Sequence, residues 1–147
     1  MTNARILLMR HAEKTGDPMD PHLSQDGYAR AAKLADFIPA TFGIPQFLIA
    51  TSISKHSVRP IETLEPLSTK IGVSVDATYA DQDYSALAGQ LLSEPRYADV
   101  GALIVLKRPR LEAMGRPFGV CYEKGPLLLG PFVFRLRRRS NRSPSEF

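Results

Sequence analysis

Cysteine is almost absent: Cys121 stands alone in 147 residues. That excludes an internal disulfide and leaves no thiolate cluster for a metal. Histidine is scarce too, limited to His11, His22 and His56. No apolar run approaches the roughly 20 residues of a membrane-spanning helix. The opening Met1-Thr2-Asn3-Ala4-Arg5 runs straight into apolar sequence, without the basic-then-apolar layout of a signal peptide. A cytoplasmic setting with no membrane partner is the expectation. There is no internal repeat, and the length suits one domain with one sizeable core.

The net charge of +4 conceals a split. Residues 1–106 carry nine Lys/Arg against twelve Asp/Glu, a net −3, whereas residues 107–147 carry ten against three, a net +7. Two regions with opposite balance call for separate explanations. The basic run lacks the aromatic interleaving of a nucleic-acid surface, and charge runs are usually just solvated, so no nucleic-acid partner is expected.

Between these limits the chain alternates strand and helix. Ile6-Leu7-Leu8-Met9 reads as a short buried strand. After a polar loop, Ser24 fits a helix N-cap, and Tyr28, Ala31, Ala32, Ala35 and Ile38 form an apolar face that Pro39 should end. Phe47 to Thr51 is a second buried strand. A second helix begins near Arg59-Pro60, with Ile61, Leu64, Leu67 and Ile71 inward, and Gly72 as its stop signal. Pro66 should kink or break it. Val73 to Tyr79 suggests a strand near the sheet's edge, Tyr84 to Leu92 a helix, and Gly101 to Leu106 a further buried strand. The pattern predicts an α/β fold, a mostly parallel sheet with helices on both faces. From Lys107 onward it fails. Arginine and proline interrupt every apolar group, and no helix or βα unit can be placed there.

A parallel sheet gathers the loops after its strands at one edge, where ligands bind. The first strand delivers Arg10, His11 and Glu13 there, and the second leads to His56 and Arg59. Two guanidinium groups beside a helix start suit an oxyanion. The third loop adds Asp81 and Asp83 as candidate proton donors. A phosphate held by Arg10 and Arg59 beside an imidazole is a workable phosphoryl-transfer site.

These residues also carry a resemblance. Leu8-Met9-Arg10-His11-Ala12, Leu23-Ser24-Gln25-Asp26-Gly27, and Thr51-Ser52 followed by Arg59-Pro60-Ile61-Glu62-Thr63 resemble the histidine phosphatase superfamily, the phosphoglycerate mutase-like and SixA-like phosphatases. The match runs over residues 1–106. It implies that His11 is a nucleophile forming a phosphohistidine and that Arg10 and Arg59 bind the phosphoryl group. It implies too that an acid at Asp81 or Asp83 protonates the leaving oxygen. No cofactor or metal is implied, and the substrate is a phosphorylated small molecule or a phosphoprotein. Short links after the second and third strands leave no inserted cap, pointing to a small open site closer to SixA-like members.

One departure stands out. The superfamily places a second phosphate-pocket histidine, in a His-Gly pair, just after the strand equivalent to Leu103–Leu106. Here no histidine follows His56. His56 can add a phosphate contact but cannot replace that residue in chain order, and His22 reads as an exposed loop residue. Residues 107–147 therefore read as a basic Pro/Arg-rich tail produced by a shifted reading frame, leaving a truncated domain over 1–106. Low solubility or a partly disordered C-terminal third is then expected, with the Gly101–Leu106 strand losing part of its cover and leaving apolar surface or an open edge. The corresponding alternative function is a catalytically impaired protein that still binds phosphate or a phosphorylated partner.

Overall fold

Four consecutive apolar residues make a strand that needs cover on both faces. In the computed structural model Ile6, Leu7, Leu8 and Met9 are all buried. The structure describes residues 5–97, 101–106 and 133–136. In chain order these form β1 (Arg5–Arg10), α1 (Gln25–Phe42), β2 (Phe47–Ala50), α2 (Arg59–Ile71), β3 (Val75–Asp76), α3 (Tyr84–Ser93), β4 (Gly101–Leu106) and β5 (Val133–Leu136). Short 3-10 turns cover Asp81–Asp83 and Pro95–Tyr97.

The sheet order is β3-β2-β4-β1-β5. The first four strands are parallel: Leu7 pairs with Leu103, Leu48 with Leu103 and Leu48 with Val75. The parallel α/β expectation therefore holds, and β3 lies at the edge as anticipated, shortened to two residues. β4 is not an edge: it sits between β2 and β1. The expected open edge there is corrected by strand order, since a six-residue apolar run is stable only with neighbours on both sides.

β5 is a second correction. It pairs antiparallel with β1, Ile6 opposite Leu136 and Met9 opposite Val133, in a stretch where the pattern offered no element. Four residues of Val-Phe-Arg-Leu are too few to show a period. An edge strand also needs only one partner's backbone and tolerates a charge. The other expectations for residues 107–147, a shifted frame and partial disorder, lie outside the described residues.

Pleat parity divides the core. Leu7 and Met9 on β1 and Leu48 and Ala50 on β2 share one face, packed by Leu34, Ala35 and Ile38 of α1 and Leu64 and Leu67 of α2. Phe47, of opposite parity, meets Tyr97 edge-on at 4.8 Å between ring centres on the other face. The 3-10 turn carrying Tyr97 thus covers the face opposite α1 and α2, and α3 buries Leu87, Ala88 and Leu91.

The helix end expected at Pro39 and the break allowed at Pro66 fail for the same reason. α1 runs through Pro39 to Phe42, and α2 is continuous across Pro66. An interior proline costs about 3 kcal/mol. Burying a leucine contributes about 1.5–3 kcal/mol, and Leu64 and Leu67, on either side of Pro66, are each only 1% exposed. Packing outweighs the lost hydrogen bond. Phe42, beyond Pro39, is held against the core and against Phe37, its ring edge-on at 6.3 Å. Tyr28 is also corrected: it stands 46% exposed instead of in the apolar face.

The start of α1 and the end of α2 behave as read. Ser24 is extended, and its Oγ accepts from Gly27 N–H at 3.0 Å while donating to Glu13 O at 3.1 Å. Gly72 closes α2 at φ 70°, the left-handed conformation that glycine adopts without a Cβ penalty. Replacing Ser24 by alanine removes both the cap and a bond to the site loop. A loss of about 1 kcal/mol in chemical denaturation is expected, with the midpoint shifting and the slope unchanged.

No helix among the described residues is long and apolar enough to cross a membrane.

Candidate active site

Parallel registry fixes what meets at the sheet's carboxyl edge. Arg10, the last residue of β1, lies opposite Leu106, and Ala50 lies opposite Val105. His11 therefore emerges at the same sheet edge as the exit of β2, one strand away across β4, where buried Thr51 begins the next loop. The loop after β3 joins them, because Ser52 N–H donates to Tyr79 O at 2.8 Å.

His11 is 8% exposed. Its Nδ1 lies 2.7 Å from Ala12 O. A carbonyl only accepts, so Nδ1 carries the proton, and in the neutral ring the lone pair is at Nε2. The next peptide is tied to the second helix: Ala12 N–H donates to Thr63 Oγ1 at 3.0 Å. The Thr63 hydroxyl in turn donates to Arg59 O at 2.8 Å. One buried threonine thus couples the His11 loop to the turn that carries Arg59. Sequence reasoning quoted Thr63 in its motif without assigning it a task. Its signal was spacing, since four residues beyond Arg59 lies one helical turn on.

Arg59 opens α2. Its Nη1 donates to Asp20 O at 2.7 Å and its Nη2 to His56 O at 3.5 Å. Nε is buried and has no acceptor among the described residues. His56 sits exposed in a tight turn, its N–H donating to Ser54 Oγ at 3.3 Å. Its ring is thus in the loop before Arg59, and its carbonyl, not its imidazole, meets the guanidinium. Asp83 is exposed and caps its own 3-10 turn, Oδ2 accepting from Ala80 N–H at 3.2 Å. The Asp81 side chain lies outside the described residues. Geometry thus links His11 and Arg59 through Thr63, puts Arg10 beside His11, and leaves Asp83 engaged with its own turn.

Glu62 was missed as a working residue. Its carboxylate accepts from His22 Nδ1 at 2.6 Å, Leu23 N–H at 2.9 Å and Tyr28 Oη at 2.8 Å. Partial burial pushes the Glu62 carboxyl up. The hydrogen bonds from His22, Leu23 and Tyr28 outweigh it and hold the group below its ordinary value of 4.5. The bond to Glu62 raises His22 above its ordinary 6.5. His22 is exposed, as expected, but it is not idle.

These shifts set a pH window. A histidine raised on folding stabilises the protein fully below 6.5 and loses that contribution as pH rises through its higher folded value. A carboxyl lowered on folding contributes above 4.5 and loses it as pH falls. The pair therefore stabilises most between those two values. The stability difference between wild type and His22→Gln should be largest in mild acid and shrink in alkali. A difference that grew with pH in urea melts would contradict it.

Among the described residues no group of three or more His, Cys, Asp or Glu is placed to hold a metal ion.

The fold is that of the phosphoglycerate mutase-like α/β proteins, among them the histidine phosphatases, as the resemblance implied. Three solved structures define the likeness. The protein histidine phosphatase SixA complexed with tungstate superposes with a TM-score of 0.59 at 16% identity, over 75% of this chain and 73% of that one. Mycobacterial glucosyl-3-phosphoglycerate phosphatase gives 0.58 at 14%, over 85% and 82%. A SixA-type protein of Nakamurella multipartitia, assigned as a phosphohistidine phosphatase, gives 0.52 at 21%, over 76% of this chain and 63% of that one. The chain thus spans under two thirds of the Nakamurella protein. No protein-family model and no curated protein sequence matches it.

Proposed function

We propose that this chain is a histidine-class phosphatase acting through a phosphohistidine on His11. The observation that carries the reading is the Ala12–Thr63–Arg59 link, which ties the backbone beside an imidazole of defined tautomer to the backbone of the helix-opening Arg59. The three solved structures named above, each described as a phosphatase, support it.

In this mechanism Arg10 and Arg59 hold the non-bridging phosphoryl oxygens. His11 Nε2 attacks phosphorus as the bond to the leaving oxygen breaks, and Asp81 or Asp83 gives that oxygen its proton. Water then attacks phosphorus and the P–N bond breaks. Its proton returns to the acid, and inorganic phosphate leaves. His56 lies in the loop before Arg59 and is the candidate for an added oxyanion contact. The substrate is a phosphorylated small molecule or a phosphoprotein, in a cytoplasmic setting. No cofactor takes part in this scheme.

A second reading is favoured by one observation: no histidine follows His56. Without the second imidazole, transition-state stabilisation falls while anion binding survives, leaving a phosphate-binding protein with little turnover. The decisive assay follows release of inorganic phosphate from p-nitrophenyl phosphate, with acid-labile phosphate on the protein trapped alongside. Turnover with a labile phosphoprotein supports the first reading. Arg59-dependent phosphate binding without turnover supports the second. Neither turnover nor binding would sink both. Sequencing the coding DNA around codon 106 tests the shifted-frame origin. A His-Gly pair followed by an amphipathic helix in another frame is the expected result.

A further inference from the structure

Outside the residues proposed to meet phosphate, one polar cluster joins the Asp20–Leu23 segment to the first turn of α2. Glu62, whose side chain is 11% exposed, accepts from His22, Leu23 and Tyr28. His22 N–H donates to Asp20 Oδ1 at 2.9 Å, and Val58 N–H donates to Pro21 O at 3.0 Å. Asp20 O is the acceptor of Arg59 Nη1. Four consecutive residues are therefore held at one end by the Glu62 carboxylate and at the other grip the Arg59 guanidinium. Both helix residues lie on the same turn of α2, three positions apart.

We propose that Glu62 and His22 are positioning residues for Arg59: by clamping the Asp20–Leu23 segment they make the Asp20 carbonyl a fixed stop for the guanidinium. The proposal rests on reading Arg59 as a phosphate ligand.

An arginine on a long stem loses rotamer freedom when it binds an oxyanion, and a preformed contact removes part of that cost. Asp20 O supplies such a contact. Of five guanidinium N–H groups, Asp20 O and His56 O engage two. The remainder, the buried Nε–H included, retain donor capacity for a tetrahedral anion. On its near side the Asp20 backbone is closed into a turn, its N–H donating to Asp17 O at 3.2 Å, so what Glu62 and His22 add is the anchor beyond it. Its loop is polar and carries exposed Met19, and Glu62 anchors its far end. The charged groups facing His22 are Glu62 and Arg59 on α2 and Asp20 in its own loop, with Tyr28 of α1 meeting Glu62.

Sulfate is the probe, because its charge does not change over the range in which histidine titrates. Binding is measured by calorimetry on the full chain and on Arg59→Ala, Glu62→Gln and His22→Gln, across that pH range. Glu62→Gln is expected to weaken sulfate about tenfold, the lower end of what removing an orienting partner costs a bound ion. His22→Gln is expected to weaken it several-fold in mild acid and to abolish part of the wild-type loss of affinity on raising pH. A merely structural role would not move that pH profile. Should Glu62→Gln unfold, the exposed His22 site still carries the test. If Arg59→Ala weakens binding while Glu62→Gln and His22→Gln bind as wild type at every pH, the positioning role is overturned and Arg59 stands as a ligand. If Arg59→Ala binds as wild type, the ligand reading fails and the positioning role with it.

Discussion

His11→Ala is expected to lower kcat for phosphate release by at least about 10³-fold, because loss of a covalent nucleophile is among the largest single-residue effects in catalysis. Acid-labile phosphate on the protein should vanish with it. The physical basis is the assigned tautomer: the Nδ1 proton is committed to Ala12 O, so the neutral ring attacks through Nε2. Binding should survive better than turnover. Arg10 and Arg59 remain, and the Ala12 amide keeps its bond to Thr63. The structural cost is modest, about 0.5–1.5 kcal/mol for the lost hydrogen bond, so far-UV dichroism should match the wild type. His11→Ala retaining wild-type turnover in a preparation free of other phosphatases would remove the imidazole from the mechanism.

Gly27→Ala carries the largest expected effect on stability. A Cβ at this position would lie 2.3 Å from Glu13 O and 3.1 Å from both Glu13 N and Leu23 Cβ. The nearest of these atoms is backbone, so no side chain can swing aside. Glu13 O is also held, accepting from Ser24 N–H at 2.8 Å and from Ser24 Oγ. The clash can be relieved only by moving α1 away from the loop that carries His11. Overpacking of this kind costs about 3 kcal/mol, or roughly 10 °C in Tm for a domain of this size. Only Ala12 separates Glu13 from His11, so kcat should fall as well. A variant melting within about 2 °C of wild type would mean that the Glu13 and Gly27 backbones are not in contact.

Most of the fold was legible because strong local patterns agree with their surroundings. Ser24 reads as a cap and is one. The continuous apolar runs at Ile6–Met9, Phe47–Ala50 and Gly101–Leu106 are the three adjacent central strands. The misreadings fall where local preference competes with packing. Pro39 and Pro66 end helices by local rule, yet Phe42 beyond the first and Leu67 beyond the second are held by the core. Tyr28 has apolar spacing, but its hydroxyl draws it to Glu62. Val133–Leu136 has no local signal of its own and owes its strand to the open side of β1.

By itself, the sequence determined the α/β class, the main helix and strand cores and the candidates Arg10, His11 and Arg59, because periodicity and residue chemistry are local properties. Only the tertiary structure decided that β4 lies between β2 and β1, that Thr63 couples His11 to Arg59, and that Glu62 gathers His22, Leu23 and Tyr28. Strand order depends on which edge each crossover reaches. A hydrogen bond between residues 51 or 40 positions apart, as Thr63 to Ala12 and Glu62 to His22 are, leaves no period in the chain. Between Ala12 and Thr63 burial makes the bond necessary, since a polar group taken out of water must find its partner wherever the fold brings one.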